Sequence, residues 1–319
     1  MKKLIAVMLA VLMVASMTAC SAAKTDGTYV VGVCQIAPHD ALDAATNGFK
    51  AALTEAFGDK VTFKVENAGG EYNNCATIVD GFVAENVDLI LANATPVLQT
   101  AAMATTTIPI LGTSVTEYSV ALGLENFNGV VGGNISGTSD LAPLDKQADM
   151  IMEWFPEAQN IGLLYCATEA NSKYQVEVVK AYLEGKGKTV KEFSFSSSSD
   201  MAAVTEQAAA WSDVIYVPTD NTVANGTSVV RGICEAAKIP VIAGEEGICT
   251  GCGIATLSIS YYDLGYTTGK MAAKILKDGA DISTMAIEYA EKQTPKYNAQ
   301  NCQALGITPL EGYTAIEAK

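Results

Sequence analysis

The hydrophobic positions of this chain switch between two periods, and the switching runs almost from end to end. Thr28 to Gln35 is a β-rich run, and from Ala41 to Phe57 the spacing becomes helical, with Leu42, Ala45, Phe49 and Leu53 on one stripe. Val61 to Val65 reads as a strand, Cys75 to Ala84 as a helix, Leu89 to Ala92 as a buried strand, Val97 to Ala104 as a helix and Ile108 to Leu111 as a strand. A second series opens at Ile161: a strand to Cys166, helix Lys173 to Glu184, strand Thr189 to Phe195, helix Met201 to Ala210, strand Val214 to Val217, helix Val223 to Ala237 and strand Val241 to Ala243. Strand and helix in alternation predict an α/β protein with parallel, doubly wound sheets, and the layout is written twice. Local sequence agrees: Val87-Asp88-Leu89-Ile90 parallels Ser212-Asp213-Val214-Ile215, and Ile108-Pro109-Ile110 parallels Ile239-Pro240-Val241.

The last stretch does not extend either series. Gly253 to Ser260 reads as a strand, and Tyr262 to Lys277 as an amphipathic helix with Leu264, Thr268, Met271 and Ile275 on one side, stopped by Gly279. Gly265 and Gly269 lie one turn apart, which lets that helix approach a neighbour closely. Asn298 to Leu305 predicts a short final helix. Elements left over after two complete lobes imply that the chain recrosses between them, through a hinge of several strands. Ligands of such sheets bind beyond the carboxyl ends of the strands, so two lobes facing one another predict an interlobe cleft.

Composition narrows the chemistry. The chain has 319 residues, 49% of them hydrophobic and only 17% charged, with 35 acids against 20 bases, so a large core is available and disorder is not expected. Arg231 is the only arginine, which argues against a nucleic-acid partner. His39 is the only histidine, which excludes a zinc site with two histidines and a histidine-based triad built away from it. No metal or cofactor is expected.

Residues 1–19 read as an export signal: Lys2 and Lys3, an apolar run from Leu4 to Val14, then small residues. Met17-Thr18-Ala19-Cys20 resembles the lipobox of bacterial lipoproteins, in which the cysteine carries the lipid, with Met17 in place of the usual Leu. The expected mature protein is exported and held to the outer face of the cell membrane by a lipid on Cys20, with 20–26 as a polar tether. An ordinary secretory signal is the alternative. Loss of 1–19 removes two lysines and no acids, so the net charge moves from −15 to −17. Anionic headgroups would repel such a surface, leaving the lipid as the anchor.

Seven further cysteines remain: Cys34, Cys75, Cys166, Cys234, Cys249, Cys252 and Cys302. An odd number cannot all pair within one chain, and most sit in apolar runs as small buried hydrophobes. Cys249-Thr250-Gly251-Cys252 is expected to be a turn or a local disulfide ahead of a strand. A redox or metal pair is the weaker reading, because no second such motif accompanies it.

Several loops taken together resemble the tryptophan/tyrosine-type substrate-binding lipoproteins of ABC importers. They are Gln35-Ile36 with His39 and Ala41-Leu42-Asp43, Ala94-Thr95-Pro96, Thr113-Ser114-Val115-Thr116, Gly133-Asn134-Ile135-Ser136-Gly137, Glu169-Ala170-Asn171-Ser172, Thr219-Asp220-Asn221-Thr222 and Tyr261-Tyr262-Asp263-Leu264-Gly265. The resemblance implies a type I periplasmic-binding-protein fold with three hinge crossings, closing on a small solute and delivering it to a permease as a monomer. One lobe would comprise 27–137 with 261–287, the other 138–260 with 288–319. It also suggests that the solute has an aromatic side chain, for which Tyr262, Tyr118 and Leu42 are candidate walls.

The residues themselves carry a compatible chemistry. Each loop is expected after a strand and before a helix, where free backbone N–H groups attract a carboxylate. Thr95, ahead of Pro96, can cap its helix or bind ligand oxygen, and Ser172 and Thr222 have the same two options. Thr113 and Ser114 would lie on the rim just past their strand, with Gln35, Leu42 and Asn171 in the neighbouring motifs. With no arginine fork for a dianion, and with Glu169, Asp220, Glu245 and Glu246 in the loops, the cleft suits a zwitterion whose ammonium meets Asp220 or Glu169. Asn221 and Thr222 would then cap the helix after Asp220. Glu245 and Glu246 are either ligand contacts or a solvated loop. An enzyme using Cys249 or Cys252 is disfavoured by the absence of a G-x-S-x-G elbow or a P-loop. An extracytoplasmic amino-acid sensor, or a binder of a nucleoside or short peptide, remains the alternative.

Overall fold

The structure, a computed structural model, describes residues 27–317. The expected export signal, Cys20 and the whole of the expected tether lie outside the described residues. The chain builds two sheets, and both have the same internal order.

The first lobe runs β1 (Tyr29–Gln35), α1 (Asp40–Phe57), β2 (Val61–Asn67), α2 (Tyr72–Ala84), β3 (Leu89–Asn93), α3 (Thr95–Ala104), β4 (Ile110–Val115), α4 (Tyr118–Leu122) and β5 (Ile135–Ser139). The second runs α5 (Leu144–Trp154), β6 (Asn160–Cys166), α6 (Ala170–Gly185), β7 (Thr189–Phe195), α7 (Met201–Trp211), β8 (Val214–Val217), α8 (Asn221–Asn225), α9 (Thr227–Ala237), β9 (Val241–Ala243), α10 (Glu246–Gly251) and β10 (Ala255–Ser258). The chain then returns through α11 (Tyr261–Asp278) and β11 (Glu288–Tyr289) to the first lobe, and ends in the second with β12 (Thr294–Tyr297), α12 (Ala299–Leu305) and β13 (Thr314–Ala315). The sheet orders are β11-β5-β4-β3-β1-β2 and β13-β12-β10-β9-β8-β6-β7. In each, the first strand of a series lies between the second and the third, which is the doubly wound order. All pairings are parallel except β10 with β12.

Period-two alternation distributes each sheet's side chains between two cores. Val31, Val33, Leu89, Leu91 and Leu111 pack against Phe49, Leu53 and Met271 of α1 and α11. Cys34, Ile90, Ala92 and Ile110 face α2 and α3. In the second sheet Leu163, Val214, Tyr216 and Ile242 lie under α5 and α6, while Leu164, Ile215, Val217 and Val241 lie under α7, α9 and α10. Strands buried on both faces explain the near-continuous apolar runs in the sequence.

The chain passes between the sheets at 140–143, 259–260 and 290–293. Strand pairing puts Thr138, Ser139, Glu288 and Tyr289 in the first sheet, two residues past the lobe limits read from the sequence. Other limits also move. β4 extends through Val115, so Thr113 and Ser114 belong to the strand and do not follow it. The helix expected from Val223 to Ala237 breaks at Gly226 into α8 and α9. The Cys249-x-x-Cys252 segment is not a turn: Cys249 and Thr250 are helical within α10, and all seven described cysteines are free thiols. Burial pushes the thiols of Cys249 and Cys252 up, which leaves both unreactive.

Candidate functional site

A cavity lies where the strand ends of the two sheets face each other. His39, Leu42, Ser114 and Thr116 line it from the first lobe, and Asn171, Thr219, Asp220, Asn221, Ala224 and Glu245 from the second. The remaining two, Asp140 and Tyr261, sit where the chain crosses between lobes. The free volume is about 10 Å³, so the walls are close together. His39 Nε2 lies 3.4 Å from Asn221 Oδ1, and the Tyr72 hydroxyl donates to the Thr168 carbonyl at 3.2 Å, each contact running from one lobe to the other.

Three buried carboxyl groups dominate the cavity. Asp220 Oδ1 accepts from Val223 N at 2.8 Å, and its Oδ2 accepts from Cys166 N at 2.7 Å and Ser172 Oγ at 2.8 Å. It therefore caps α8 itself, the role the sequence reading gives to Asn221 and Thr222. Burial, with Glu169 nearby, pushes its carboxyl up to about 8. Glu245 accepts from the Gly247 and Ile248 amides at the start of α10, and burial pushes it up to about 7. Asp140 accepts from the Tyr261 hydroxyl at 2.9 Å through Oδ2, and its Oδ1 is buried with no partner. Burial raises this group too, against the lowering effect of the Tyr261 hydrogen bond. Among the described residues no lysine or arginine lines the cavity, and burial lowers the His39 pKa, keeping the imidazole neutral.

The other expected site residues divide by what their polar atoms already hold. Glu169 accepts from Asn221 N and Nδ2, from Thr222 N and Oγ1 and from Asn171 Nδ2, at 2.7 to 3.0 Å. Its carboxylate is saturated in tying α6 to α8, so it has no free oxygen for an ammonium. Ser172 and Thr222 are likewise engaged, with Asp220 and Glu169. Gln35 Nε2 donates to Ala37 O and Asp43 Oδ1, and its Oε1 accepts from Thr46 Oγ1 at 2.8 Å. That network braces the end of β1, away from the cavity lining. Thr113 Oγ1 pairs with Thr138 Oγ1 at 3.2 Å inside the lobe.

Among the expected site residues, two hydroxyls are left without partners. Ser114 Oγ, in the cavity wall, and Thr95 Oγ1, at the first turn of α3, are both buried and unbonded, and Asn171 Oδ1 is in the same position. Thr95 makes no capping bond, so that option is not used, and Pro96 fills the first turn beside it. Ala94, just ahead of α3, and Ser114, at the register shift inside β4, hold positive φ angles of 100° and 54°, a cost that only the surrounding structure can sustain.

The aromatic wall differs from the expectation by one position. Tyr262 is 45% exposed on the outer side of α11, stacked on Tyr266, whereas Tyr261 is buried and reaches the cavity. One residue along a helix turns the side chain by about 100°. Tyr118 is core, its hydroxyl donating to Thr138 O. Asp140, Thr116, Thr219, Ala224 and His39 were not expected as lining. Thr116, Thr219, Tyr261 and His39 stand inside the loop motifs, a usable signal. Asp140 follows Ile-Ser-Gly-Thr-Ser, a strand with too few apolar residues to be seen.

The three raised carboxyls set a pH dependence. Each titrates near 4 when unfolded and higher when folded, so the folded state binds more protons in between and its stability falls as pH rises from about 4 towards 8. A ligand-free melt should therefore give a higher Tm at pH 5 than at pH 8. Asp140→Asn should flatten that trend; an unchanged slope would remove Asp140 from the titrating set.

Two lobes of one design, three crossings and a closed cavity lined by both halves define a two-lobed solute-binding protein of periplasmic binding protein type I fold. The chain belongs to the family described as ABC transporter substrate binding protein, which matches residues 30–316. Its relatives include the tyrosine-binding protein of Clostridioides difficile, 33% identical over 88% of this chain and 81% of that one. A Streptococcus pneumoniae ABC domain in complex with L-Trp is 32% identical, with a TM-score of 0.86 over 91% of this chain and 100% of that one. A Clostridium difficile substrate-binding protein with adhesive properties, in its ligand-free, open structure, is 35% identical but has a TM-score of 0.69 over 92% of this chain and 100% of that one. The overall shape is thus nearer to the bound relative than to the open one, although identity runs the other way. A Bacillus halodurans solute-binding protein with bound myo-inositol, 16% identical at a TM-score of 0.59 over 84% of this chain and 93% of that one, shares the fold alone.

Proposed function

We propose that the protein captures a neutral aromatic amino acid between its lobes and delivers it to the permease of an ABC importer. The observation that carries this reading is the charge arrangement of the cavity: Asp140, Asp220 and Glu245 are buried together, Asp140 with an unpartnered oxygen, and among the described residues no basic side chain other than neutral His39 lines the wall. A ligand ammonium supplies the missing positive charge. The partnerless Ser114 and Thr95 hydroxyls, with the N-terminal amides of α3, offer donors for the carboxylate at the other end. Leu42, Tyr261 and Ala224 provide apolar surface for the side chain. Tyrosine and tryptophan binding by the relatives supports the aromatic class. The working unit is a single chain, with lobes near 27–139 plus 261–289 and 140–260 plus 290–317, and capture is a shift towards a closed form that both lobes stabilise through the ligand.

A thermal-shift screen of the twenty amino acids, short peptides and nucleosides tests this, because a ligand that prefers the closed form raises Tm. Tyrosine or tryptophan should give the largest rise. A rise with nucleosides alone, or with none of the twenty amino acids, would overturn it. The delivery role places the protein outside the cytoplasmic membrane, held by lipid on Cys20. Cys20→Ala should move it from the membrane fraction to the soluble one; a variant that still sediments with membranes would rule out the lipid anchor.

A further inference from the structure

We propose that Cys34 and Cys75 are a disulfide-forming pair, closed inside the first lobe by exchange with an external disulfide. The two come from elements that the fold brings together. Alternation along β1 turns Val33 towards α1 and α11 and turns Cys34 to the opposite face, under α2. Cys75 is the fourth residue of α2, on the stripe that carries Val79 and Phe82 onto that same face. Both are fully buried, and their thiols lie side by side, hydrogen-bonded to one another. The other described thiols are in the second lobe.

The two thiols are not equivalent. The hydrogen bond from Cys34 draws the Cys75 pKa down, while the contact with Cys75, and burial, push Cys34 up. Cys75 also stands in the first turn of α2, where unpaired backbone amides favour a thiolate, and it is the attacking thiol. It attacks one sulfur of a small disulfide such as oxidised glutathione, forming a mixed disulfide and expelling a glutathione thiolate, which takes up a proton. Cys34, deprotonated in turn, attacks the Cys75 sulfur and expels the second glutathione. Two protein thiols are oxidised to one disulfide, and one external disulfide is reduced to two thiols. Both sulfurs are fully buried in the folded lobe, so the exchange takes place during folding, before α2 settles over Cys34. The bond would join the end of β1 to the helix whose first residue, Tyr72, reaches across to Thr168 of the second lobe.

The test is refolding of the chain from residue 27 onward, after denaturation and reduction, in a glutathione redox buffer, so that burial does not limit access. Thiols are then counted by maleimide labelling under denaturing conditions, with mass spectrometry of the proteolytic peptides. The expected product has lost two of the seven free thiols, contains a Cys34–Cys75 cross-linked peptide, and melts higher than the reduced protein. Cys34→Ala and Cys75→Ala should each abolish the cross-link and the rise in Tm. Full labelling of all seven thiols, or a bond mapped to another pair such as Cys249 and Cys252, would overturn the proposal.

Discussion

Asp140→Asn is expected to weaken amino-acid binding by roughly a hundredfold or more while leaving the ligand-free fold intact. Asparagine keeps an oxygen for the Tyr261 hydroxyl, which Asp140 accepts at 2.9 Å, and changes only the charge and the atom facing the cavity. Truncating one side of a buried, hydrogen-bonded charge pair typically costs about 2–5 kcal/mol, and here the lost partner would be the ligand ammonium. Isothermal calorimetry with tyrosine or tryptophan decides it; equal affinity in both proteins would mean that Asp140 does not face the ammonium. Asp220 is a poorer probe. It holds the Cys166 amide, the Ser172 hydroxyl and the Val223 amide, so Asp220→Ala would lower Tm as well as affinity. The same carboxyls make affinity depend on pH. An ammonium favours their charged forms, so protonation below about pH 7 opposes binding, and affinity should fall as pH drops from 8 to 5.

Gly265→Ala should destabilise the protein by about 3 kcal/mol or more, towards the upper end of overpacking penalties. A Cβ at Gly265 would stand 1.9 Å from the Ala45 carbonyl oxygen, and one at Gly48 would stand 2.0 Å from that of Tyr262. These obstacles are backbone, so the two helices α1 and α11 must separate to admit a methyl group. Gly81→Ala is the matched control. It too lies in a helix, and its added Cβ meets nothing within 4 Å, so Ala there should stabilise by about 0.5–1 kcal/mol. Melting curves for the two variants should move in opposite directions; a Gly265→Ala protein as stable as wild type would show that the helix pair yields easily.

The duplicated layout was legible because strands buried on both faces are continuous apolar runs and the crossover helices keep their 3.6-residue stripe. Gly265 and Gly269 also announced a close helix contact, although its other half, Gly48, gave no pattern of its own. What periodicity could not reveal was β5, whose residues Ile135 to Ser139 are mostly small and polar yet pair with β4 on one side and, at Thr138 and Ser139, with β11 on the other. Asp140 was hidden with it. The loop motifs did single out the right segments, but adjacent residues there have opposite fates. Tyr261 faces the cavity and Tyr262 faces solvent, and Asp220 lines the wall while Glu169, equally acidic and equally buried, is consumed by the amides and hydroxyl of Asn221 and Thr222. Those fates depend on helix phase and on hydrogen-bond partners some fifty residues away, neither of which a local pattern encodes.

The placement of α11 has a consequence for the order of assembly. This helix is made after every strand from β6 to β10, yet it covers the face of the first sheet beside α1, and β11 completes that sheet's edge. A chain emerging amino end first therefore presents β1 to β5 with Val31, Val33, Leu89 and Leu91 half covered, and they stay so until residue 278 has been made. The half that begins first must wait for most of the other before it is complete, and a nascent chain stalled before residue 261 would be a sticky intermediate in need of a chaperone.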